Sequence, residues 1–344
     1  MKHNWKEAAT LILTAFKGVS VKSGYDYTIL NLKRSTKTSF MPKGYVYPGG
    51  TVEVADSSMK WSSFFPDFIK KSHDTSKLRT VPPILEGVHN LPKLLTLKVA
   101  AIRETFEETG ILLCCNMSQV QEGNNEWITC SMYPGLQEWR NKVQKDASEF
   151  YNLCQHYKCC PDVQNIYLWS NWLTPTSTGN KRYDTIFFIA CLKEMPYAVA
   201  DKGEIEYLSW ISPDKVMDQH KNREIFVPPP QVYETLRLLQ FDEIHCLSNF
   251  AKQRSGHGCE RWMPVQFKAT DGMVSLLPGD DGYCPVNFCT LSEPTEIDMS
   301  VEEFRTKSFV CHRLESMGKS ATNVALHNYR ATNGHVLPIR DYKK

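Results

Sequence analysis

The sequence predicts a layered fold of the α/β or α+β class, in which strands and helices are mixed along the chain. Several apolar runs have the length and composition of buried strands, and one segment has the apolar periodicity of an amphipathic helix. Strands are predicted at 8–16, 27–32, 111–113, 166–173, 185–192 and 208–211. Helices are predicted at 95–109, 135–158, from Pro213 onward and at 231–250, with short strand-like pieces in 255–344.

The composition is that of a globular protein. The chain has 344 residues, of which 42% are hydrophobic and 23% are charged, and its formal net charge is +2. This length allows one large domain or two smaller ones with a sizeable core. A net charge so close to zero gives no global field that would favour nucleic acid. No apolar run approaches the ~20 residues of a membrane-spanning helix, so no membrane partner is predicted.

The two ends of the chain bear on localisation. The apolar run 8–16 follows two lysines and resembles a weak signal peptide, but no clear small-residue cleavage site follows it, which favours a buried first strand. The last residues, 341–344, contain no peroxisomal signal of the Ser-Lys-Leu type and no lipidation motif. An intracellular location is expected.

The 12 cysteines include two adjacent pairs, Cys114-Cys115 and Cys159-Cys160, but no C-x-x-C pair. This spacing argues against a zinc site. A disulfide framework is typical of short secreted chains, so it is not expected in this one. The cysteines are therefore predicted to be reduced thiols that serve in packing.

The helix predicted at 95–109 carries a cluster of acidic residues. Its apolar positions follow one another at spacings of four, three and four, and Gly110 stands where a helix-ending glycine is expected. Glu104 and Glu108 share one face, and Glu107 lies beside Glu104. Such carboxylates repel one another unless a cation such as Mg²⁺ lies between them, and Arg103 is placed to orient them. The alternative is a solvated acidic surface.

The segment Arg103–Ile111 resembles the second half of the motif of the nudix hydrolase family, G-x5-E-x7-R-E-U-x-E-E-x-G-U, in which U is apolar. Thr105 is an unusual residue at the first U. The first half is matched by Gly50, with Asp56 where the family has Glu. Asp56 and Arg103 are separated by 46 residues instead of 7, so an insertion of 39 residues divides the motif.

Further segments narrow the resemblance to the acyl-coenzyme A diphosphatase branch of this family, the nudix motif 19 type. They are 40–42, 45–50, 55–57, 172–175, 182–188, 228–234 and 276–280. The resemblance implies a nudix α/β/α sandwich with a mixed sheet, two largely helical insertions and a C-terminal extension. The expected nudix domain is 1–250, with insertions at about 57–96 and 118–165, and the extension is 251–344.

The resemblance also implies a metal site and a catalytic group. The expected ligands of Mg²⁺, which Mn²⁺ is expected to replace, are Glu104, Glu108, Glu107 and the carbonyl of Gly49. Glu104 and Glu204 are alternative catalytic bases. Glu107 and Arg103 complete the expected catalytic set.

Substrate contacts are expected from Arg34, Lys43, Tyr47, Gly50 and Arg182, and all of these except Gly50 have a simpler alternative. Arg34 and Lys43 flank the loop that leads to Gly50, and they either meet phosphates of coenzyme A or are solvated. Arg182 either contacts a phosphate or pairs with Asp184. Tyr47 either stacks on adenine or packs in the core, and packing is favoured.

The function implied by the resemblance is Mg²⁺-dependent hydrolysis of coenzyme A or acyl-coenzyme A to 3′,5′-ADP and (acyl-)4′-phosphopantetheine. Two alternatives stay open: a pyrophosphatase for ADP-ribose, NADH or capped RNA, and a non-catalytic binding module. The presence of Glu104, Glu107 and Glu108 argues against a binding module, because a protein that only binds need not keep carboxylates that repel one another. The resemblance implies a peroxisome, whereas the missing C-terminal signal leaves the cytosol open. The sequence makes no prediction of the oligomeric state.

Overall fold

A computed structural model describes most of the chain. The described residues are 5–18, 24–38, 40–66, 78–87, 89–116, 127–179, 181–201, 203–284, 292–318 and 320–340. Parts of the two predicted insertions, at 67–77, 88 and 117–126, lie outside the described residues, as does the C-terminal segment 341–344.

The strands are β1 (Lys6–Phe16), β2 (Tyr27–Arg34), β3 (Tyr45–Val46), β4 (Gly49–Thr51), β5 (Cys114–Asn116), β6 (Cys159–Pro161), β7 (Tyr167–Leu173), β8 (Tyr183–Leu192), β9 (Ile205–Ile211), β10 (Arg261–Trp262), β11 (Val265–Lys268), β12 (Gly272–Leu276), β13 (Thr295–Glu296), β14 (Cys311–Met317) and β15 (Asn323–His327). The α-helices are α1 (Lys93–Thr109), α2 (Leu136–Val143), α3 (Glu149–Tyr157), α4 (Pro213–Lys221), α5 (Pro229–Leu238), α6 (Ile244–Ser255) and α7 (Val301–Thr306). Short 3-10 helices cover Val54–Ser57, Met59–Ser63 and Pro83–Leu85.

A mixed sheet of eight described strands forms the central layer, in the order β10-β7-β8-β1-β2-β3, with β4 paired to β1 and β9 paired to β2. β1 and β8 are parallel over ten residue pairs, from Lys6 opposite Tyr183 to Ala15 opposite Leu192. The pairs β1–β2, β7–β8 and β2–β9 are antiparallel. Strands buried on both faces read as continuous apolar runs, which explains the composition of β1.

Helices cover both faces of this sheet. Successive side chains of a strand point to opposite faces. Leu11 and Leu13 of β1 accordingly belong to one core together with α1, whereas Ile12 belongs to a second core with α5 and α6. The predicted α/β class with a mixed sheet between helical layers is confirmed.

Three predicted elements differ from the structure. The helical segment expected at 135–158 is divided into α2, which ends at Val143, and α3, which begins at Glu149. The strand expected at 111–113 is wrong, since the strand begins at Cys114 and Leu112 makes only an isolated bridge to Ser131. The single helix expected at 231–250 is also wrong, because α5 ends at Leu238 and α6 begins at Ile244. Asp26 holds this break in place: its N–H donates to the carbonyl of Asp242 at 3.0 Å, and its carboxylate accepts the N–H of Ile244 at 2.8 Å.

The C-terminal part contains a second sheet of five described strands in the order β13-β11-β12-β14-β15, against which α7 packs. His312 of β14 meets Tyr233 of α5, with 2.7 Å between Nε2 and the hydroxyl. The boundary at residue 250 stays a prediction; α6 spans it, and β10 adds to the central sheet. None of the described helices combines the length and the apolar character needed to cross a bilayer.

Candidate metal and diphosphate site

Helix α1 carries the acidic cluster in its last turns. Glu104 and Glu108 lie one turn apart, and the side chain of Glu104 is 16% exposed while Glu108 is 6% exposed. Gly110 ends the helix in a left-handed conformation, φ 75°, and donates its N–H to the carbonyl of Phe106 at 2.8 Å. The C-terminal end of a helix repels negative charge. The cluster therefore needs positive charge from elsewhere.

Arg103 supplies part of this charge from inside the protein. Its Nε and Nη2 each donate to the carboxylate of Asp56 at 2.8 Å, and Nη2 also donates to the carbonyl of Thr51 at 3.0 Å. Nη1 donates to Glu104 at 3.0 Å and to Glu107 at 2.6 Å. An arginine has five N–H donors, and these contacts use them all. Arg103 thus positions the carboxylates and has no donor left for a substrate.

Two glycines allow the chain before the first insertion to approach these carboxylates closely. Gly49 donates its N–H to Glu108 at 2.9 Å. A Cβ on Gly50 would lie 2.4–2.6 Å from the carboxyl atoms of Glu104, which is well inside contact distance. Only glycine fits at position 50 without moving Glu104, so the Gly-Gly pair and α1 form one site although 42 residues (51–92) lie between them.

The electrostatics of the cluster favour a cation. Burial raises the pKa of Glu104 to about 7, against the lowering effect of Arg103. Burial, together with the charge of Glu104, raises the pKa of Glu108 well above its ordinary value. Burial likewise raises the pKa of Glu107. Such a set of buried oxygen donors, short of positive charge, suits a hard divalent cation.

The acidic cluster borders a cavity of about 550 Å³. Its polar part includes Glu104, Glu204 and Arg34, and an Arg34 Nη2 lies 3.6 Å from a Glu204 oxygen. Its apolar part includes Phe40, Trp172, Leu173, Phe187, Pro229 and Pro230. The cavity therefore joins a charged region to an apolar one.

The C-terminal sheet contributes one part of the cavity wall. Gln266 on β11 is paired with Ser275 on β12, and Ser275 is paired with Leu314 on β14. All three line the cavity as one row across three strands. Gln266 also accepts hydrogen bonds from Ser177 at 2.6 Å and Thr178 at 3.2 Å, which holds the β7–β8 loop beside the cavity.

Most residues expected at the site are brought together. Glu104, Gly49, Gly50, Arg34, Tyr47 and Glu204 all line the cavity. Glu108 is outside the lining and accepts the N–H of Gly49, which is one of the lining residues. Tyr47 packs mainly in the core, with its hydroxyl 2.7 Å from that of Thr235. The roles of all these residues stay predictions.

Two expected substrate residues lie outside the cavity lining. Lys43 is exposed and adopts a positive φ of 62°. Arg182 donates to the carbonyl of Thr176 at 2.7 Å, and the proposed partner Asp184 pairs with Arg261 instead, at 3.2 Å. The neighbour of Arg182, Lys181, lines the cavity and was missed. Its basic character and its position beside Arg182 were the only signals in the sequence.

Comparisons with known proteins agree with this geometry. The model of the NUDT19 Nudix domain matches residues 5–238, and that of the NUDT19 C-terminal domain matches 266–327. Acyl-coenzyme A diphosphatase NUDT19 of Xenopus laevis is 35% identical over 97% of this chain and 96% of that protein. The protein of the same name from Homo sapiens is 34% identical over 81% of this chain and 80% of that protein.

A solved structure supports the fold alone. The crystal structure of a NUDIX hydrolase from Alicyclobacillus acidocaldarius has a TM-score of 0.54 and 16% identity, and the match covers 72% of this chain and 97% of that chain. Three observations point to the same family: the divided motif, the mixed sheet between helical layers and the near full-length similarity to the named relatives. The chain belongs to the NUDT19 family of nudix hydrolases.

Proposed function

We propose that this protein is a Mg²⁺-dependent diphosphatase that hydrolyses coenzyme A and acyl-coenzyme A to 3′,5′-ADP and (acyl-)4′-phosphopantetheine. The observation that carries the proposal is the cavity in which the acidic cluster and an extended apolar wall meet. The names of the relatives point to the same substrates. Nudix hydrolases generally use a divalent metal ion, and carboxylate oxygens suit Mg²⁺.

Glu104 and Glu108 are the proposed principal metal ligands, with Glu107 and the Gly49 carbonyl as further candidates. When bound, Mg²⁺ would neutralise diphosphate oxygens and lower the pKa of bound water. Arg103 would hold Glu104 and Glu107 in fixed orientation, because it is 2% exposed and bonded to both. Preorganised ligands of this kind avoid a reorganisation cost during the reaction.

Glu204 is the proposed acceptor of the proton from the attacking water. It lines the same cavity as Glu104, its side chain is 68% exposed, and its cationic partner Arg34 lies at the long distance of 3.6 Å. Glu104 is less suited because it is bonded to Arg103 and is the proposed metal ligand. Arg34 and Lys181 are the proposed contacts for substrate phosphates, and the apolar wall is the proposed place of the pantetheine and acyl arm.

The test is a product assay on a panel of diphosphates with and without Mg²⁺. The panel contains coenzyme A, short- and long-chain acyl-coenzyme A, ADP-ribose, NADH and capped RNA, and 3′,5′-ADP is identified by chromatography and mass spectrometry. We expect coenzyme A and its thioesters to be cleaved only with the metal. Cleavage of ADP-ribose, NADH or capped RNA while coenzyme A stays intact would overturn the proposed substrate.

Glu108→Gln separates catalysis from binding in the same assay. Loss of a metal ligand removes several kcal/mol of transition-state stabilisation, so kcat should fall by about 10²-fold or more. Glu206→Gln is the matched control, since Glu206 is exposed on β9 and pairs with Lys33 at 3.2 Å. If Glu108→Gln leaves hydrolysis unchanged, the metal assignment is wrong; a wild type that binds but never cleaves would indicate a binding module.

A further inference from the structure

A group of cysteines is gathered from three elements, of which β5 lies just before the second insertion while α3 and β6 lie within it. β5 and β6 are antiparallel, with Cys115 opposite Cys160 and Asn116 opposite Cys159. Neighbouring residues of a strand point to opposite faces. Each adjacent cysteine pair is therefore divided: Cys115 and Cys160 share one face, with 3.6 Å between their sulfurs, and Cys114 and Cys159 share the other.

Helix α3 adds a third sulfur on the second face. The Sγ atoms of Cys114, Cys154 and Cys159 all lie within 4.8 Å of one another, and the three residues are fully buried. In a tetrahedral zinc site with Zn–S bonds of about 2.3 Å, ligand sulfurs are about 3.8 Å apart. The three sulfurs can thus surround one ion with only small adjustments of their side chains.

The surroundings of the three sulfurs supply an oxygen donor. The Tyr133 hydroxyl hydrogen-bonds to Cys159. The ring of Tyr133 stacks on that of Tyr157, with centroids 4.4 Å apart, which fixes the hydroxyl beside the sulfurs.

We propose that Cys114, Cys154 and Cys159 bind a structural Zn²⁺ ion, with the Tyr133 oxygen as fourth ligand. Three thiolates are soft donors, which select Zn²⁺ or Cu⁺ over the hard cations that the carboxylates of α1 prefer. The oxygen makes a four-coordinate zinc site, whereas Cu⁺ would need only the three sulfurs. Binding converts three thiols to zinc thiolates and releases three protons to solvent.

Such an ion would join β5, α3 and β6 beside the acidic helix. Phe150 of α3 packs against Phe106 of α1, with ring centroids 6.3 Å apart. Arg140, on the neighbouring helix α2, donates to the carbonyl of Glu107 at 2.8 Å. Zinc would therefore stabilise the layer that supports the C-terminal end of α1, without contacting the cavity.

The first experiment measures metal content by mass spectrometry in full-length protein purified under reducing conditions and treated with EDTA, which strips weakly held ions. We expect about one zinc per chain to remain. Cys114→Ser and Cys154→Ser should each reduce this to near zero, while the buried Cys259→Ser, outside the group, should retain it. Full zinc content in both cluster variants would overturn the proposal.

The second experiment uses unaltered protein, so that it does not depend on folding of the variants. A mercurial reagent is titrated against the thiols, and released zinc is followed with a chromogenic dye; we expect release in step with thiol modification. Protein reconstituted with Co²⁺ should show sulfur-to-cobalt charge-transfer absorption. A wild type that contains no zinc and takes up neither Zn²⁺ nor Co²⁺, or that retains only Cu⁺, would overturn the proposal.

Discussion

The ion pair of Asp56 and Arg103 organises the acidic helix at the scale of single residues. The two side chains are 1% and 2% exposed, and the pair has two hydrogen bonds of 2.8 Å. Asp56 also accepts the N–H of Glu53 at 2.8 Å, which caps the 3-10 helix Val54–Ser57 to which Asp56 belongs. Asp56 has a shorter side chain than the Glu that is typical of the family, yet both of its oxygens accept hydrogen bonds from Arg103.

Asp56→Asn tests this pairing. The NH₂ group of the new side-chain amide would face an N–H group of the Arg103 guanidinium. Since both groups are donors, one of the two buried hydrogen bonds is lost. We expect the free energy of unfolding, measured in urea without metal, to fall by about 3 kcal/mol. The exposed Glu86→Gln, which makes the same chemical change, should alter it by less than about 0.5 kcal/mol. Equal effects of the two changes would contradict the role of Asp56.

Glu204→Gln tests the proposed base. A general base contributes about 10²–10⁴-fold, so kcat for coenzyme A should fall by that factor while KM changes little. Glu206→Gln, two residues further along the chain, on β9 and outside the cavity lining, is again the control. If Glu204→Gln keeps wild-type kcat, the proton acceptor is Glu104 or solvent.

The residues of the acidic helix were predictable because helical spacing alone places them on one face. Thr105, unusual in the family pattern, is explained by the structure: it is buried, and its hydroxyl donates to the carbonyl of Ala101 at 2.7 Å, so no polar atom is left unpaired. Lys181 was not predictable, because whether a lysine in a loop faces a cavity depends on the path of that loop.

At the scale of elements, the local sequence patterns predicted most strands and helices. They could not predict which distant strands pair with each other. The row of Gln266, Ser275 and Leu314 arises only from the registers of β11, β12 and β14. The grouping of Cys114, Cys154 and Cys159 has the same origin, and the spacing of the cysteines along the chain gave no sign of it. Side chains that meet through such long-range pairing leave no spacing signal in the sequence.

Ser275→Phe tests whether this row limits the substrate arm. Under the proposed function, an added ring in the cavity costs about 1–3 kcal/mol for a long acyl chain, which lowers kcat/KM by about 5- to 150-fold. Cleavage of free coenzyme A should be reduced far less. Met273→Phe, on the same face of β12 but outside the cavity, is the control. An equal loss for both substrates would place the acyl arm elsewhere.

At the scale of the whole molecule, the C-terminal sheet is joined to the sandwich through a buried histidine. His312 Nδ1 meets the Pro278 carbonyl at 2.6 Å, and Nε2 meets the Tyr233 hydroxyl at 2.7 Å. A carbonyl only accepts, so Nδ1 carries the hydrogen and Nε2 accepts from Tyr233. The ring also stacks on Tyr329, with centroids 3.8 Å apart. The contact is thus complete when the histidine is neutral.

This contact predicts an acid-sensitive stability. Burial, with repulsion from Arg237, lowers the pKa of His312 to about 3, whereas an unfolded histidine titrates near 6.5. Between these values the unfolded state binds one more proton, so the stability that is complete above pH ~6.5 falls by about 1.4 kcal/mol per unit as pH decreases. The free energy of unfolding, measured in urea from pH 6 to pH 4.5, should fall more steeply in the wild type than in His312→Gln, since all other groups titrate in both proteins.

The control is His245→Gln, a change at an exposed histidine, which should keep the wild-type slope. Parallel pH profiles for the wild type and His312→Gln would contradict the assignment.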